Sequence, residues 1–273
     1  MKVNRYQIGL IQARFANEQV SENLQKMKKI VETCKEAHAD VKLLLFPELA
    51  ATGYSLSATL RNCAEEQHGD IAAYMAELAR ANDLAIGYGY AERGPAGEMF
   101  NSFQLMDRHG EPVAHYRKIH LTELERGIFA AGSEIVSAQT ELGHLGFMIC
   151  WDLAFPELAR MLALRGVDLI LAPSAWEKPY DPAFLRFGMA RAIDNTVYVA
   201  ACNHLGQSQH LHFFGRSTLH GPDGTSIAAA DDEDERVIIG TVDLEYRRTL
   251  QTRFYTMLKE RRKELYGLQG EGV

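Results

Sequence analysis

Three short segments carry side chains suited to one kind of reaction. Phe46-Pro47-Glu48, Tyr116-Arg117-Lys118 and Ile149-Cys150-Trp151-Asp152 each follow a run of apolar residues. Each therefore sets a reactive side chain at the end of an expected strand, where loops present functional groups on a rigid scaffold. A cysteine is a good nucleophile once its proton is removed. A carboxylate within reach can take that proton and later give it to a leaving amine. An ammonium can hold the oxyanion of a tetrahedral intermediate. Together the three suit acyl transfer from an amide or nitrile carbon and need no metal. Taken singly they read otherwise: Cys150 as an inert packing residue, Glu48 as a solvated loop acid, and Lys118, beside Arg117 and His120, as part of an exposed basic cluster.

The elements that must position these groups alternate strand and helix. Residues 6–12 read as a strand and 21–37 as an amphipathic helix, with Leu24, Met27, Ile30, Val31 and Cys34 on one face and Ser21 as its cap. Residues 41–46 read as a strand buried on both faces, stopped by Pro47, which has no N–H for a ladder. A helix is predicted over 70–81 and strands over 84–90, 100–106 and 112–116, the last two joined by a turn at Asp107-Arg108-His109-Gly110. Residues 117–133 read as irregular. Then come a strand at 144–149, a helix at 155–165, a buried strand at 167–172, a helix at 182–195 and a strand at 197–202. Strands at 211–219 and 224–229 flank Gly221-Pro222-Asp223-Gly224, followed by an acidic loop at 231–235, a strand at 237–242 and a charged helix at 245–266.

No repeat, low-complexity tract or linker divides the chain, so 1–273 reads as a single domain with 245–273 as a C-terminal helical arm. Hairpins among about a dozen strands predict mixed sheets, and two sheets covered by helices would bury them.

The chain has 273 residues, 47% of them hydrophobic and 24% charged, which excludes wholesale disorder. Its net charge of −7 offers no basic footprint for nucleic acid or an anionic membrane. No apolar run reaches the ~18–20 residues of a membrane span, and the stretch at 8–11 is too short for a signal-peptide core. The four cysteines, Cys34, Cys63, Cys150 and Cys202, form no CxxC pair or disulfide framework. A reducing cytoplasm with free thiols is expected, with Cys34, Cys63 and Cys202 as packing residues.

The three segments, read through as Phe46-Pro47-Glu48-Leu49-Ala50-Ala51-Thr52-Gly53-Tyr54, Tyr116-Arg117-Lys118-Ile119-His120-Leu121 and Ile149-Cys150-Trp151-Asp152-Leu153-Ala154-Phe155-Pro156-Glu157, resemble the nitrilase superfamily of carbon-nitrogen hydrolases in order and spacing. Arg191-Ala192-Ile193-Asp194-Asn195, Asn203 and Gly221-Pro222-Asp223-Gly224 extend the resemblance over nearly the whole chain. It implies an α/β fold, a four-layer αββα sandwich of two mixed sheets flanked by helices. It implies a Glu-Lys-Cys triad with Glu48 as base, Lys118 as oxyanion holder and Cys150 as nucleophile. A further glutamate that supports the lysine falls on Glu125, with Glu123 as the alternative. The backbone N–H of Trp151 is expected to share the oxyanion. Asp152 rather than Glu after Cys-Trp resembles the amidase and carbamoylase branches. The resemblance also implies a small-molecule amide substrate, no cofactor, and a homodimer or higher oligomer.

Tyr54, Phe129 and Trp176 are candidate walls of the substrate pocket, with a core role as the alternative. Arg186 and Arg61 are candidates for reading a substrate carboxylate, against a helix-surface role. Three rival readings stand beside the amidase: a nitrilase or carbamoylase with the same triad, a scaffold without turnover, and a papain-like hydrolase with His120 or His144 as base. The context of Cys150 is unlike the cysteine-protease signatures. No phosphate-binding loop is present.

Overall fold

The computed structural model describes residues 3–266 apart from 233. In chain order the elements are β1 (Arg5–Gln12), α1 (Val20–Ala37), β2 (Val41–Leu45), α2 (Asp70–Asn82), β3 (Ala85–Arg93), β4 (Met99–Met106), β5 (Pro112–Arg117), β6 (Ser137–Thr140), β7 (Gly143–Phe147), α3 (Pro156–Leu164), β8 (Leu169–Ser174), α4 (Asp181–Asn195), β9 (Tyr198–Asn203), β10 (Leu205–Ser208), β11 (Leu211–Phe214), β12 (Thr218–His220), β13 (Ser226–Ala229), β14 (Arg236–Asp243), α5 (Leu244–Thr252) and α6 (Met257–Glu260).

One six-stranded sheet runs β14-β1-β2-β3-β4-β5 and the other β13-β12-β9-β8-β7-β6. Both are mixed. β1, β2 and β3 are parallel neighbours in the first, as are β7, β8 and β9 in the second, and the outer pairs are antiparallel. The alternation of side chains explains the layers. Ile8, Leu10, Leu43, Leu45 and Phe103 share one core with Leu145, Phe147, Leu169–Ala172 and Tyr198–Cys202 of the other sheet. Phe103 meets Phe147 across the interface at 5.5 Å between ring centroids. Ile11, Leu44 and Ile86 point the opposite way, onto Met27, Val31 and Cys34 of α1 and Met75 and Leu78 of α2. Leu158 and Leu162 of α3 and Phe184 and Ala192 of α4 cover the second sheet. The result is the expected four-layer sandwich. Truncating one of these fully buried leucines to alanine costs roughly 2–5 kcal/mol.

Several local expectations change. Helix α1 starts at Val20, with Gln19 at the cap position and no side-chain cap, so Ser21 lies inside the helix. The expected strand over 211–219 is two strands in different sheets. Gly215 and Arg216 between them have φ of +69° and +56°, and left-handed backbone cannot continue a strand. Strands β6 and β10 lie in stretches to which the sequence assigns no element. The charged helix over 245–266 is broken: α5 ends at Thr252, α6 spans one turn, and a 3-10 turn follows at Lys263–Leu265. Only Leu244 and Arg247 of α5 are buried, and a short helix without an apolar face has little to hold it. The rest of the expected arm, 267–273, and residue 233 of the acidic loop lie outside the described residues. Among the described residues, no helix is long and apolar enough to cross a membrane.

Candidate active site

Glu48 sits on the loop that leaves β2. The loop lies along β3 through Phe46 N–H to Gly87 O at 2.9 Å and Ala51 N–H to Gly89 O at 3.0 Å. Leu49 has φ +53°, so the chain reverses directly after Glu48. Gly89 makes this approach possible, because a Cβ there would lie 2.3 Å from the Leu49 nitrogen. His204, just past β9, holds the other side: its Nε2 is 2.5 Å from the Glu48 carbonyl oxygen. Burial lowers the His204 pKa to about 4. The ring is therefore neutral and donates from Nε2.

Lys118 follows β5, and its backbone N–H donates to Asn101 O at 2.9 Å. Its Nζ donates to Glu48 Oε1 and to Glu125 Oε1, both at 2.7 Å, and all three side chains are fully buried. Asn101, in the middle of β4, adds Nδ2 to the same two oxygens at 2.7 and 3.1 Å. The second oxygen of Glu125 accepts from Thr122 N–H at 2.9 Å and Thr122 Oγ1 at 3.0 Å. The Tyr54 hydroxyl is 3.4 Å from Glu125 Oε1. Glu123 is exposed, so the glutamate that meets Lys118 is Glu125. Glu48 Oε2 is buried and has no hydrogen-bond partner, and the same holds for Asn101 Oδ1.

Cys150 opens a 3-10 turn, Cys150–Ala154, directly after the strand-like Ile149. Its φ is +49°, a left-handed conformation that costs a non-glycine residue roughly 1–2 kcal/mol. Asp152 holds the turn in that shape. Its Oδ2 accepts Ile149 N–H at 2.9 Å and the Tyr116 hydroxyl at 2.7 Å, and its Oδ1 accepts His120 N–H at 3.0 Å and lies 2.8 Å from His120 Nδ1. The His120 ring stacks on Phe155 at 3.6 Å. Asp152 thus ties the cysteine turn to the lysine segment. The branch signal read at this position rests on a buried carboxylate fully engaged with protein. His120 is committed to Asp152, and His144 pairs with Ser137 through Nε2 at 3.0 Å.

The electrostatics follow from burial and from these pairs. Burial raises the Glu48 pKa, and Lys118 offsets this only in part, leaving it at about 7. Burial acts to discharge Lys118, but Glu125 and Glu48 outweigh it and hold the ammonium. Burial works against ionised Glu125, but Lys118 and Thr122 keep its carboxyl below the usual range. Burial, then the charge on Glu48, pushes the Cys150 thiol well above an ordinary cysteine. The resting pair is therefore a thiol beside a carboxylate of near-neutral pKa.

Tyr54 and Phe129 belong to one buried apolar cluster with Leu49, Met99 and Phe213, and Tyr54 reaches the site through its hydroxyl. Trp176 follows β8, its ring 5.5 Å from that of Trp151. Asn203 fixes Trp176 by accepting its backbone N–H at 2.8 Å and donating to its carbonyl at 3.1 Å. Arg186 and Arg61 are exposed, and Arg61 donates to Gly97 O. Cys34 and Cys202 pack in the core, whereas Cys63 is half-buried. Sequence reasoning missed Asn101, His204 and Gly89. Asn101 lies within an ordinary strand and carries no local signal. No group of three His, Cys, Asp or Glu side chains among the described residues could hold a metal ion.

The sequence profile of the carbon-nitrogen hydrolases matches residues 7–252. A probable nitrilase of Schizosaccharomyces pombe is 38% identical over 250 residues, covering 90% of this chain and 92% of the relative. An (R)-stereoselective amidase of a Pseudomonas species is 30% identical over 265 residues, covering 97% and 94%. An amidase from Nesterenkonia sp. has the same fold, with a TM-score of 0.83 and 26% identity over 97% of this chain and 96% of that one. The chain belongs to the carbon-nitrogen hydrolase family, within the nitrilase superfamily, and is an enzyme of that family.

Proposed function

We propose that the enzyme hydrolyses a small linear amide to a carboxylic acid and ammonia through a thioester on Cys150. The observation that carries this reading is the free oxygen of Glu48. Its Oε1 is taken by Lys118 and Asn101, while Oε2 is buried with no partner, and the charge of this carboxylate acts on the Cys150 thiol, which needs a base.

In this reading the thiol proton passes to Glu48 Oε2 as sulfur bonds to the amide carbon, and the carbonyl π electrons move to oxygen. Lys118 has three N–H donors and the two glutamates use two, which leaves one for the oxyanion. The Trp151 N–H joins it, since amides in the first turn of a helix have no partner within the helix. Glu48 then gives its proton to the amide nitrogen as the oxyanion electrons re-form the carbonyl, the C–N bond breaks and ammonia leaves. Water then loses a proton to Glu48, attacks the thioester, and releases the acid as the proton returns to sulfur. Glu125 keeps Lys118 charged and in place.

A cysteine-to-alanine variant of the amidase from Nesterenkonia sp. AN1 is known in complex with butyramide, which supports a small aliphatic amide here. Ammonia release from amides, nitriles and N-carbamoyl compounds, with Cys150→Ala as control, tests the reading. Amide turnover lost in the variant is the expected result. Turnover of nitriles or carbamoyl compounds alone moves the enzyme to a sister branch, and activity that survives Cys150→Ala refutes the mechanism. The reading includes at least a homodimer, supported by the exposed Leu164 and Met189 on α3 and α4 and Tyr246 on α5. Light scattering tests it.

A further inference from the structure

One acid beside the catalytic cluster has no task in this mechanism. Glu177 follows Trp176 on the loop that leaves β8. The loop is fixed on both sides of it. Asn203 grips the Trp176 backbone, Glu177 bridges to Phe213, and Lys178 N–H donates to His212 O at 2.9 Å. The Phe213 ring packs edge-on against Tyr54 at 5.4 Å, and the Tyr54 hydroxyl reaches Glu125. The loop therefore sets Glu177 against the segment that carries Phe213, and the charge of its carboxylate acts on Tyr54.

The Glu177 side chain is half-buried, and among the described residues no lysine or arginine lies within ion-pair distance of it. It takes a hydrogen bond from its own backbone amide. The charge of Lys118, already held by two carboxylates, acts on it. A partly desolvated carboxylate without a cation is unfavourable unless a ligand completes it. Its immediate neighbour, Trp176, also carries a buried indole N–H with no acceptor. Both arginines considered as readers of a substrate carboxylate are exposed, and Arg61 is bound to Gly97 O.

We propose that Glu177 is a specificity-determining residue whose carboxylate pairs with a cationic group, such as a primary ammonium, at the end of the amide substrate away from the scissile bond. The assignment rests on the amidase reading for the orientation of the substrate. It selects by charge: a cationic tail gains a partner, a neutral tail leaves the carboxylate unpaired, and an anionic tail is repelled.

Binding separates this assignment from hydrolysis. Dissociation constants are measured by calorimetry on the full chain carrying Cys150→Ala. The probes are ω-amino amides of about two to five carbons, butyramide, and the anionic succinamate. The best ω-amino amide is expected to bind about tenfold tighter than butyramide or better, with succinamate weakest. Adding Glu177→Gln is expected to erase the preference, bringing the best ω-amino amide to within about twofold of butyramide. Adding Glu177→Lys is expected to reverse it in favour of succinamate. Equal affinities for charged and neutral amides, a preference that survives Glu177→Gln, or no binding of any ω-amino amide would overturn the proposal. Failure of the amidase reading shows separately, as absence of amide turnover in the enzyme with Cys150 intact.

Discussion

Lys118 and Glu48 meet through a single carboxylate oxygen: Nζ lies 2.7 Å from Oε1, while Oε2 is buried and unpaired. The contact helps keep the lysine charged and leaves the other oxygen without a donor, the oxygen that takes the thiol proton in the proposed mechanism. Glu48 must be ionised to act as base, and its pKa is raised to about 7. On that basis kcat/KM should rise with pH through about 7. Asn101→Ala removes the second donor to Oε1 and should move this limb to higher pH. Turnover should fall on the order of ten- to a hundredfold, because hydrogen bonds to a charged group contribute roughly 1.5–3 kcal/mol. A pH–rate profile of the variant that matches the wild type would remove Asn101 from this role.

The thiol of Cys150 is held protonated by burial and by the charge on Glu48. Alkylation by iodoacetamide should therefore be slow at neutral pH and should keep climbing above the range of an ordinary thiol. Glu48→Gln removes the negative neighbour, so the variant should be alkylated faster at a given pH while losing turnover. Faster labelling without catalysis would separate acidity from function. Slower labelling in Glu48→Gln would contradict the electrostatic picture.

Gly89 lies under the Glu48 loop, where an added Cβ would come 2.3 Å from the Leu49 nitrogen. Backbone must move to relieve that contact. Gly89→Ala should lower kcat by about a hundredfold or more, as displacements near 1 Å do to catalytic groups, while the protein still folds. Near-normal kcat in a folded Gly89→Ala enzyme would show that the loop tolerates the shift.

His204 and His220 are buried, and burial lowers both pKa values to about 4. Unfolded, each titrates near 6.5. Between these values the unfolded chain binds more protons, so each histidine makes stability rise with pH, by about 1.4 kcal/mol per pH unit. Glu48 and Glu177, both raised, act in the opposite direction above the ordinary carboxylate range. Neither ring nitrogen of His220 has a partner, so His220→Leu sacrifices no hydrogen bond. Urea titrations across pH 4.5–6.5 should show the slope for His220→Leu lower than wild type by about that one-proton amount. Identical slopes would mean that His220 titrates alike in both states.

The candidate trio was legible because strand ends are visible in sequence: an apolar run, then Pro47-Glu48, Arg117-Lys118 or Cys150-Trp151. The choice between Glu123 and Glu125 was not, since both lie in one irregular segment and only the turn closed by Thr122 turns Glu125 inward. Asn101 was invisible for a different reason: its side-chain partners, Glu48 on the loop after β2 and Glu125 in the turn beyond β5, lie 53 and 24 residues away in sequence. The break between β11 and β12 depends on Arg216 adopting φ +56°, where the Gln12 side chain packs against the neighbouring Gly215. That is a tertiary contact with no local signature. The tail read as one helix because charged residues satisfy helix propensity, but propensity without a buried face did not sustain it.

The most direct test of the account is the mass of the intact enzyme, acid-quenched within milliseconds of mixing with an amide it turns over. The account predicts an adduct equal to the amide minus ammonia, mapped to Cys150 and absent from Cys150→Ala. Turnover with no such adduct, at any quench time and after stabilising the acyl-enzyme at low pH, would contradict a thioester on Cys150.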